Sequence, residues 1–174
     1  MVWPWDLLIP DLMCESVFDV PFEAYQKKGI AAVVFDIDNT LVSYETPLPT
    51  ERVAALLREL SEAGLSLALV SNNSPQRVAL FNESLGCLAL PDAKKPLKRA
   101  LAPVLEHFSL SPREVLVVGD QLLTDVLAAK RWGMTAVAVS PIKKKENAFF
   151  RFKRFLEIPF IRWYRRRKRK EEKQ

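Results

Sequence analysis

Short apolar runs alternate along the chain with longer stretches in which apolar residues return every three or four positions. The short runs are typical of strands buried on both faces of a sheet, and the longer stretches are typical of amphipathic helices. Five strands are predicted, at residues 31–35, 65–71, 87–90, 114–120 and 134–140. Four helices are predicted, at residues 49–64, 74–86, 96–108 and 122–133.

Two of these helices carry clear end signals in the sequence. Thr50 and Ser74 can cap the first and second helices with their side-chain oxygens. Pro75 suits a first helical position, and Gly64 can end the first helix. Strands that alternate with helices in this way predict an α/β fold, with a parallel sheet covered by helices on both faces.

Composition and charge divide the chain into three parts. Its 174 residues, 49% hydrophobic and 27% charged, suffice for one globular domain with an appendage. We predict an apolar N-terminal segment at 1–27, a core at 28–142 and a basic aromatic tail at 143–174. The tail holds 14 Lys and Arg against 4 Asp and Glu, a net charge of +10, which leaves −5 for the rest of the chain. A tail of this charge predicts an anionic partner, either a membrane or a nucleic acid.

Several classes of protein do not fit this sequence. No apolar run approaches the roughly 20 residues that span a bilayer, and the N-terminus lacks the basic residues of a secretory signal. Cys14 and Cys87 match no metal-binding spacing, so reduced thiols in a cytoplasmic protein are expected. His107 is the only histidine and falls on a predicted helix, which argues against a Ser–His–Asp hydrolase.

Polar side chains cluster where the predicted strands end. They are Asp36, Asp38, Ser71, Lys94, Lys95, Asp120 and Asp125. An aspartate after a strand often only caps a turn, and for any one of these residues that interpretation is open. In a parallel α/β sheet, however, ligands bind at the carboxyl ends of the strands, so four segments are expected to converge on one crevice.

The residue types in this crevice suit phosphoryl transfer. Carboxylate oxygens are the ligands that Mg²⁺ prefers, and a carboxylate can also act as a nucleophile that forms an aspartyl-phosphate. A hydroxyl group, a Lys and backbone N–H groups can stabilise the charge on the transferred phosphoryl oxygens. Magnesium is therefore the expected cofactor.

Four motifs stand in order at these strand ends: DIDNT, VSNNS, KKP and GDQLLTD. Together they resemble the motifs of the haloacid dehalogenase-like (HAD) phosphatases. Over residues 10–160 the chain is similar to the YqeG family of subclass IIIA. The resemblance implies a Rossmann-like fold with a five-stranded parallel sheet in the order 3-2-1-4-5, and no cap domain.

The resemblance also implies roles for individual residues. Asp36 is the expected nucleophile, and Asp38 is the expected general acid and base. Asp36, Asp38 (through its carbonyl), Asp120 and Asp125 are the expected metal-binding residues. Thr40, Ser71, Asn72 and Lys95 are the expected substrate-binding residues, of which Ser71 and Lys95 also count as catalytic. The adjacent Lys94 is an alternative to Lys95, which directly precedes Pro96 in the motif.

The spacing of the motifs bears on the substrate. The 30 residues between Thr40 and Ser71, and the 22 between Ser71 and Lys94, are too few for an inserted cap domain. An open site admits a large substrate, such as a lipid headgroup at a membrane. The tail interleaves aromatic and basic residues, which is typical of segments that lie on anionic membranes.

Relatives of the YqeG family include phosphatidylglycerophosphate phosphatases, so the resemblance implies conversion of phosphatidylglycerophosphate to phosphatidylglycerol. The chain is then expected in the cytoplasm, as a peripheral protein on the inner face of the membrane. One alternative is a phosphatase that acts on a protein, a nucleotide or another soluble phosphate. Another is an RNA-binding or ribosome-associated protein that uses the basic tail. The tail can also pack on the domain or remain solvated.

Overall fold

A parallel six-stranded sheet lies at the centre of the computed structural model, which describes residues 4–143 and 148–171. The strands are β1 (Leu12–Cys14), β2 (Ala32–Phe35), β3 (Ser66–Val70), β4 (Leu88–Leu90), β5 (Val115–Gly119) and β6 (Thr135–Val139). Their order across the sheet is β1-β6-β5-β2-β3-β4, and every neighbouring pair is parallel. The order predicted for the last five strands is confirmed.

The predicted number of strands was wrong, because β1 adds a sixth strand at one edge. It pairs with β6 from Leu12 opposite Val137 to Cys14 opposite Val139. This strand has only three residues, all of them half-buried. It therefore lacks the continuous apolar run that predicts the other strands, and it depends on β6 for its hydrogen bonds.

In the described part of the chain, six α-helices cover the sheet. They are α1 (Phe22–Lys27), α2 (Glu51–Glu62), α3 (Pro75–Asn82), α4 (Ala102–Phe108), α5 (Leu127–Trp132) and α6 (Ala148–Glu171). The two predicted caps are present, because the Oγ1 of Thr50 and the Oγ of Ser74 accept hydrogen bonds from the third backbone N–H of α2 and α3.

Two of the predicted helices begin differently in the structure. The one expected at 96–108 starts with a 3-10 turn at Lys98–Ala100, and α4 follows, so that Pro103 falls in its first turn, where proline is tolerated. The one expected at 122–133 starts with a π-helical turn at Leu122–Val126 and then continues as α5.

The core has two layers, one on each face of the sheet. Val33 and Phe35 of β2 lie in the layer that α1, α2 and α3 cover, whereas Ala32 and Val34 lie in the layer under α4 and α5. The alternation follows from the two-residue repeat of a strand. Burial on both faces explains why the strands are apolar at nearly every position.

Helix α6, in the predicted tail, packs on the second layer. Phe160 and Ile161 pack against this layer, and Glu157 and Tyr164 are buried. Phe160 also stacks on Trp5 with ring centroids 6.2 Å apart, and the Tyr164 hydroxyl accepts a hydrogen bond from the Met13 N–H at 3.1 Å. Among the helices of residues 4–143 and 148–171, none has the combination of length and apolar character that crossing a membrane requires.

Candidate active site

The turn after β2 carries the first motif of the site. The Asp36 N–H donates to the Val118 carbonyl at 3.0 Å, so the chain still follows the sheet at this residue. Asn39 then adopts a left-handed conformation with φ of 68°, which Asn tolerates better than most residues. The reversal brings the Thr40 hydroxyl within 3.2 Å of Asp36 Oδ2, to which it donates. The turn thus holds the Asp36 carboxylate at the carboxyl edge of the sheet.

Lys95 lies at the centre of the site. Its buried ammonium donates to Asp36 Oδ1 at 2.8 Å, to Asp125 Oδ1 at 2.6 Å and to the Val70 carbonyl at 2.6 Å. Three acceptors use all three of its protons. The neighbouring Lys94 is exposed. The lysine that joins the predicted acids is therefore Lys95, not Lys94.

Three carboxylates converge beside this lysine. One oxygen from each of Asp36, Asp120 and Asp125 lies within 4.8 Å of the other two. Three buried carboxylates carry more negative charge than one ammonium compensates, and all their ligand atoms are hard oxygens. The donor set therefore fits Mg²⁺. The Asp38 side chain is outside this cluster, and metal binding by its backbone carbonyl stays a prediction.

The position of Asp125 depends on contacts with its own turn. Its Oδ2 accepts from the Gln121 N–H at 3.2 Å and from the Thr124 hydroxyl at 3.1 Å. Its carboxyl group also rests against Gly119, where a Cβ would lie 2.3 Å from Asp125 Cγ. Only a glycine at the end of β5 leaves room for this carboxylate.

Replacing Gly119 with Ala is therefore expected to displace Asp125, to lower the affinity for Mg²⁺ and to destabilise the fold by about 1–3 kcal/mol, the usual range for overpacking. Urea unfolding and Mg²⁺ titration would measure the two effects. Gly64→Ala is the control, because the φ of 91° at Gly64 strains an alanine while no atom of the site is near. It should lose stability and keep its Mg²⁺ affinity. Equal Mg²⁺ affinities in the two variants would contradict the role of Gly119.

The pKa values follow from this crowding. Burial raises the pKa of the Asp36 carboxyl to about 6; Lys95 opposes this rise, and the carboxylates of Asp125 and Asp38 reinforce it. Burial lowers the pKa of the Lys95 ammonium, but Asp125 and Asp36 outweigh burial and raise it above its ordinary value. Lys95 is therefore positively charged at neutral pH.

Asp38 is held by two residues to which the sequence assigned no role. Asn73 Nδ2 donates to its Oδ2 at 2.9 Å, and Arg77 Nη2 donates to its Oδ1 at 3.1 Å. Arg77 also donates to the carbonyls of Thr46 and Pro47, at 2.7 and 2.6 Å, in the loop after the first motif. Asn73 lies within the second motif, VSNNS, but nothing in the local sequence distinguishes Arg77 from any other basic residue on a helix.

The predicted phosphate-binding residues lie next to these groups. Ser71 is buried, and its hydroxyl accepts from the Asn73 N–H at 3.1 Å. The Asn72 side chain bonds to the backbone of Lys95 in both directions, with its Nδ2 donating to the carbonyl at 3.0 Å and its Oδ1 accepting from the N–H at 2.7 Å. Asn72 thereby fixes the segment that carries Lys95. The second and third motifs are thus joined directly.

This arrangement combines the carboxylates of two neighbouring aspartates with compensating positive charge. Asp36 lies between Lys95 and the hydroxyl of Thr40, and Asp38 lies two residues away with its own hydrogen-bond partners. Such a set of groups suits the cleavage of a phosphate ester more than the binding of a metal alone.

Comparison with solved structures shows the fold. The chain superposes on a HAD phosphatase from Thermococcus onnurineus with a TM-score of 0.53 and 19% identity, over 67% of this chain and 89% of that one. It superposes on CbbY from Rhodobacter sphaeroides with a TM-score of 0.52 and 14% identity, over 69% of this chain and 90% of that one. The fold of this chain is therefore the one that these two proteins share.

Sequence relatives indicate the family. The chain is 34% identical over 149 residues to the probable phosphatase YqeG of Bacillus subtilis. The aligned segment covers 86% of this chain and 87% of that protein. It is 25% identical over 170 residues to phosphatidylglycerophosphate phosphatase 1 of Arabidopsis thaliana, over 91% of this chain but only 49% of the plant protein. Residues 2–143 match the family described as mitochondrial PGP phosphatase, so the chain belongs to that family and is a phosphoric monoester hydrolase.

Proposed function

We propose that this chain is a Mg²⁺-dependent phosphatase that removes the phosphate of phosphatidylglycerophosphate through an aspartyl-phosphate on Asp36. One observation carries the proposal: the Asp36 carboxylate lies 2.8 Å from a buried ammonium and within 4.8 Å of two further carboxylates. A structural turn needs only one carboxylate. Three of them around one lysine are costly to bury and call for a bound cation.

The first step transfers the phosphoryl group to Asp36. A carboxylate oxygen of Asp36 attacks phosphorus while the bond between phosphorus and the alcohol oxygen breaks. Asp38 gives its proton to that leaving oxygen, and Asn73 and Arg77 orient its carboxyl group for the transfer. Lys95 compensates the charge that spreads over the phosphoryl oxygens.

The second step regenerates the enzyme. The Asp38 carboxylate takes a proton from a water molecule, whose oxygen attacks phosphorus. The bond between phosphorus and the Asp36 oxygen breaks, and inorganic phosphate leaves. In both steps we assign the binding of the phosphoryl oxygens to the Ser71 hydroxyl, the Asn72 N–H and Lys95. Thr40 holds the turn that carries the nucleophile.

The cation belongs with the acidic cluster. Asp36, Asp120 and Asp125 would hold Mg²⁺ by their side chains, and Asp38 by its carbonyl. When bound, Mg²⁺ neutralises negative charge between the nucleophile and the phosphoryl group. The chain itself fixes these ligands, because Thr124 and the Gln121 N–H orient Asp125 and Thr40 orients Asp36.

The choice of a lipid substrate rests on two arguments. The named plant relative is a phosphatidylglycerophosphate phosphatase. In addition, residues 36–65 hold only α2 and residues 71–87 hold only α3, so the two connections where a cap domain would be inserted leave the carboxyl edge open. An open site can receive a headgroup that stays attached to a bilayer, and peripheral association with the inner face of the membrane would bring the two together.

Turnover of phosphatidylglycerophosphate in mixed micelles, with Mg²⁺ and with EDTA, tests this proposal. We expect a higher kcat/KM for the lipid than for p-nitrophenyl phosphate, and loss of both activities in EDTA and in Asp120→Asn. Good turnover of the soluble ester without lipid turnover would contradict the substrate. Activity that persists in EDTA would contradict the cation.

A further inference from the structure

Exposed large apolar side chains surround the site. Four of them, here called the apolar rim, are Tyr44, Leu48, Leu97 and Ile142, and their exposed fractions range from 43% to 53%. They belong to the segments that follow β2, β4 and β6, which all leave the sheet at its carboxyl edge. Segments so far apart in sequence lie at one edge because parallel strands end on the same side.

Contacts tie each rim segment to the site. The carbonyls of Thr46 and Pro47, between Tyr44 and Leu48, accept from Arg77, which binds Asp38. Leu97 lies two residues after Lys95.

Ile142 is attached to the same region. Its N–H donates to the Asn39 carbonyl at 3.2 Å, within the turn of the first motif. With Tyr44, Leu48 and Leu97, it therefore belongs to the border of the site and not to a remote surface.

Helix α6 extends this apolar surface. Glu157 Oε1 accepts from the Leu123 N–H at 3.1 Å, two residues before Asp125. On the helix just before Glu157, the side chains of Phe152, Phe155 and Leu156 are 41–67% exposed. The first part of α6 thus presents large apolar side chains next to the turn that carries Asp125.

The charges nearby are mainly positive. The exposed charges on the rim segments are four cations and two acids, namely Lys94, Lys98, Arg99, Lys143, Glu45 and Asp92. From 152 to 169 the only acid is Glu157, which is buried. An apolar surface bordered by cations matches the boundary between the acyl chains and the headgroups of an anionic bilayer.

RNA would not match this surface as well. Bases stack on aromatic rings, and single-stranded RNA is followed by a groove of positive charge. Three of the four rim side chains are aliphatic, and aliphatic side chains gain most by leaving water for hydrocarbon.

We propose that the apolar rim and the first turns of α6 insert into the surface of an anionic phospholipid bilayer and hold the site at the level of the headgroups. The inference rests on the proposed function, since it explains how a site fixed at the carboxyl edge reaches a phosphate that does not leave the membrane. It differs from binding by the basic tail alone, because it places residues of the core in the contact.

Flotation with vesicles of phosphatidylglycerol and phosphatidylcholine tests the inference, using the full chain and the double variant Leu48→Ser/Leu97→Ser. We expect the apparent vesicle affinity of the double variant to fall about ten-fold, since two leucines no longer enter the apolar phase. Phe152→Ser/Phe155→Ser should give a similar fall. Leu80→Ser is the control, because Leu80 is 44% exposed against 43% for Leu97 but lies in the second turn of α3.

The turnover of p-nitrophenyl phosphate separates this inference from the proposed function. All of these surface variants should retain this turnover, and the retained activity also shows that they fold. Asp36→Asn should lose the turnover and still float like the wild type. The inference would be overturned if both double variants floated like the wild type, or if Leu80→Ser alone lost flotation. It would also be overturned if the protein bound RNA and not the vesicles. If the wild type itself did not hydrolyse p-nitrophenyl phosphate, the result would contradict the proposed function and not this inference.

Discussion

Asp36→Asn is expected to abolish phosphatase activity, with a fall in kcat of about 10⁴-fold or more, as is typical when a covalent nucleophile is removed. The amide keeps the shape of the side chain but cannot attack phosphorus. Stability should change little, because Lys95 keeps its bonds to Asp125 and to the Val70 carbonyl. Single-turnover assays with the purified variant, in parallel with urea unfolding, would measure both quantities.

A matched control removes one carboxylate charge elsewhere. Glu59→Gln, on the exposed face of α2, makes the same change of charge far from the carboxyl edge and should keep wild-type kcat. If Asp36→Asn retained more than a small fraction of the activity, a mechanism through Asp36 would be untenable. If it failed to fold, the hydrogen bonds from Thr40 and Lys95 would have a larger structural role than their geometry indicates.

The sequence predicts which residues lie together when they are close in sequence or when they follow neighbouring strands of the sheet. The apolar runs indicate five strands, whose order was implied by the family resemblance, and a parallel sheet brings their carboxyl ends to one edge. For this reason the amino-acid pattern alone predicts that Asp36, Lys95 and Asp125 share one crevice, although 59 and 30 residues separate them along the chain.

Contacts set by tertiary packing could not be predicted. Arg77 reaches Asp38 across 39 residues, and its position on α3 is like that of any solvent-exposed arginine. Glu157 is an acid in a basic helix and would ordinarily face water, yet it is buried and accepts the Leu123 N–H. In both cases the decisive partner is a backbone or side-chain group on another element, which no local pattern reveals.

Lys95→Met should destabilise the fold by about 3–5 kcal/mol, the usual cost of removing one partner from a buried ion pair. Methionine fills a similar volume but leaves the carboxylates of Asp36 and Asp125 without their shared ammonium. Urea unfolding in EDTA would measure the loss. Phosphatase activity should disappear as well, since the same ammonium compensates the phosphoryl charge.

The adjacent lysine gives the control for this experiment. Lys94 is exposed, so Lys94→Met should change the free energy of unfolding by no more than about 0.5 kcal/mol. Mg²⁺ should stabilise Lys95→Met more than it stabilises the wild type, because the cation then compensates carboxylates that have lost their ammonium. A larger loss in Lys94→Met than in Lys95→Met would reverse the assignment of the two lysines. Equal stabilisation of Lys95→Met and the wild type by Mg²⁺ would mean that cation and ammonium do not share these carboxylates.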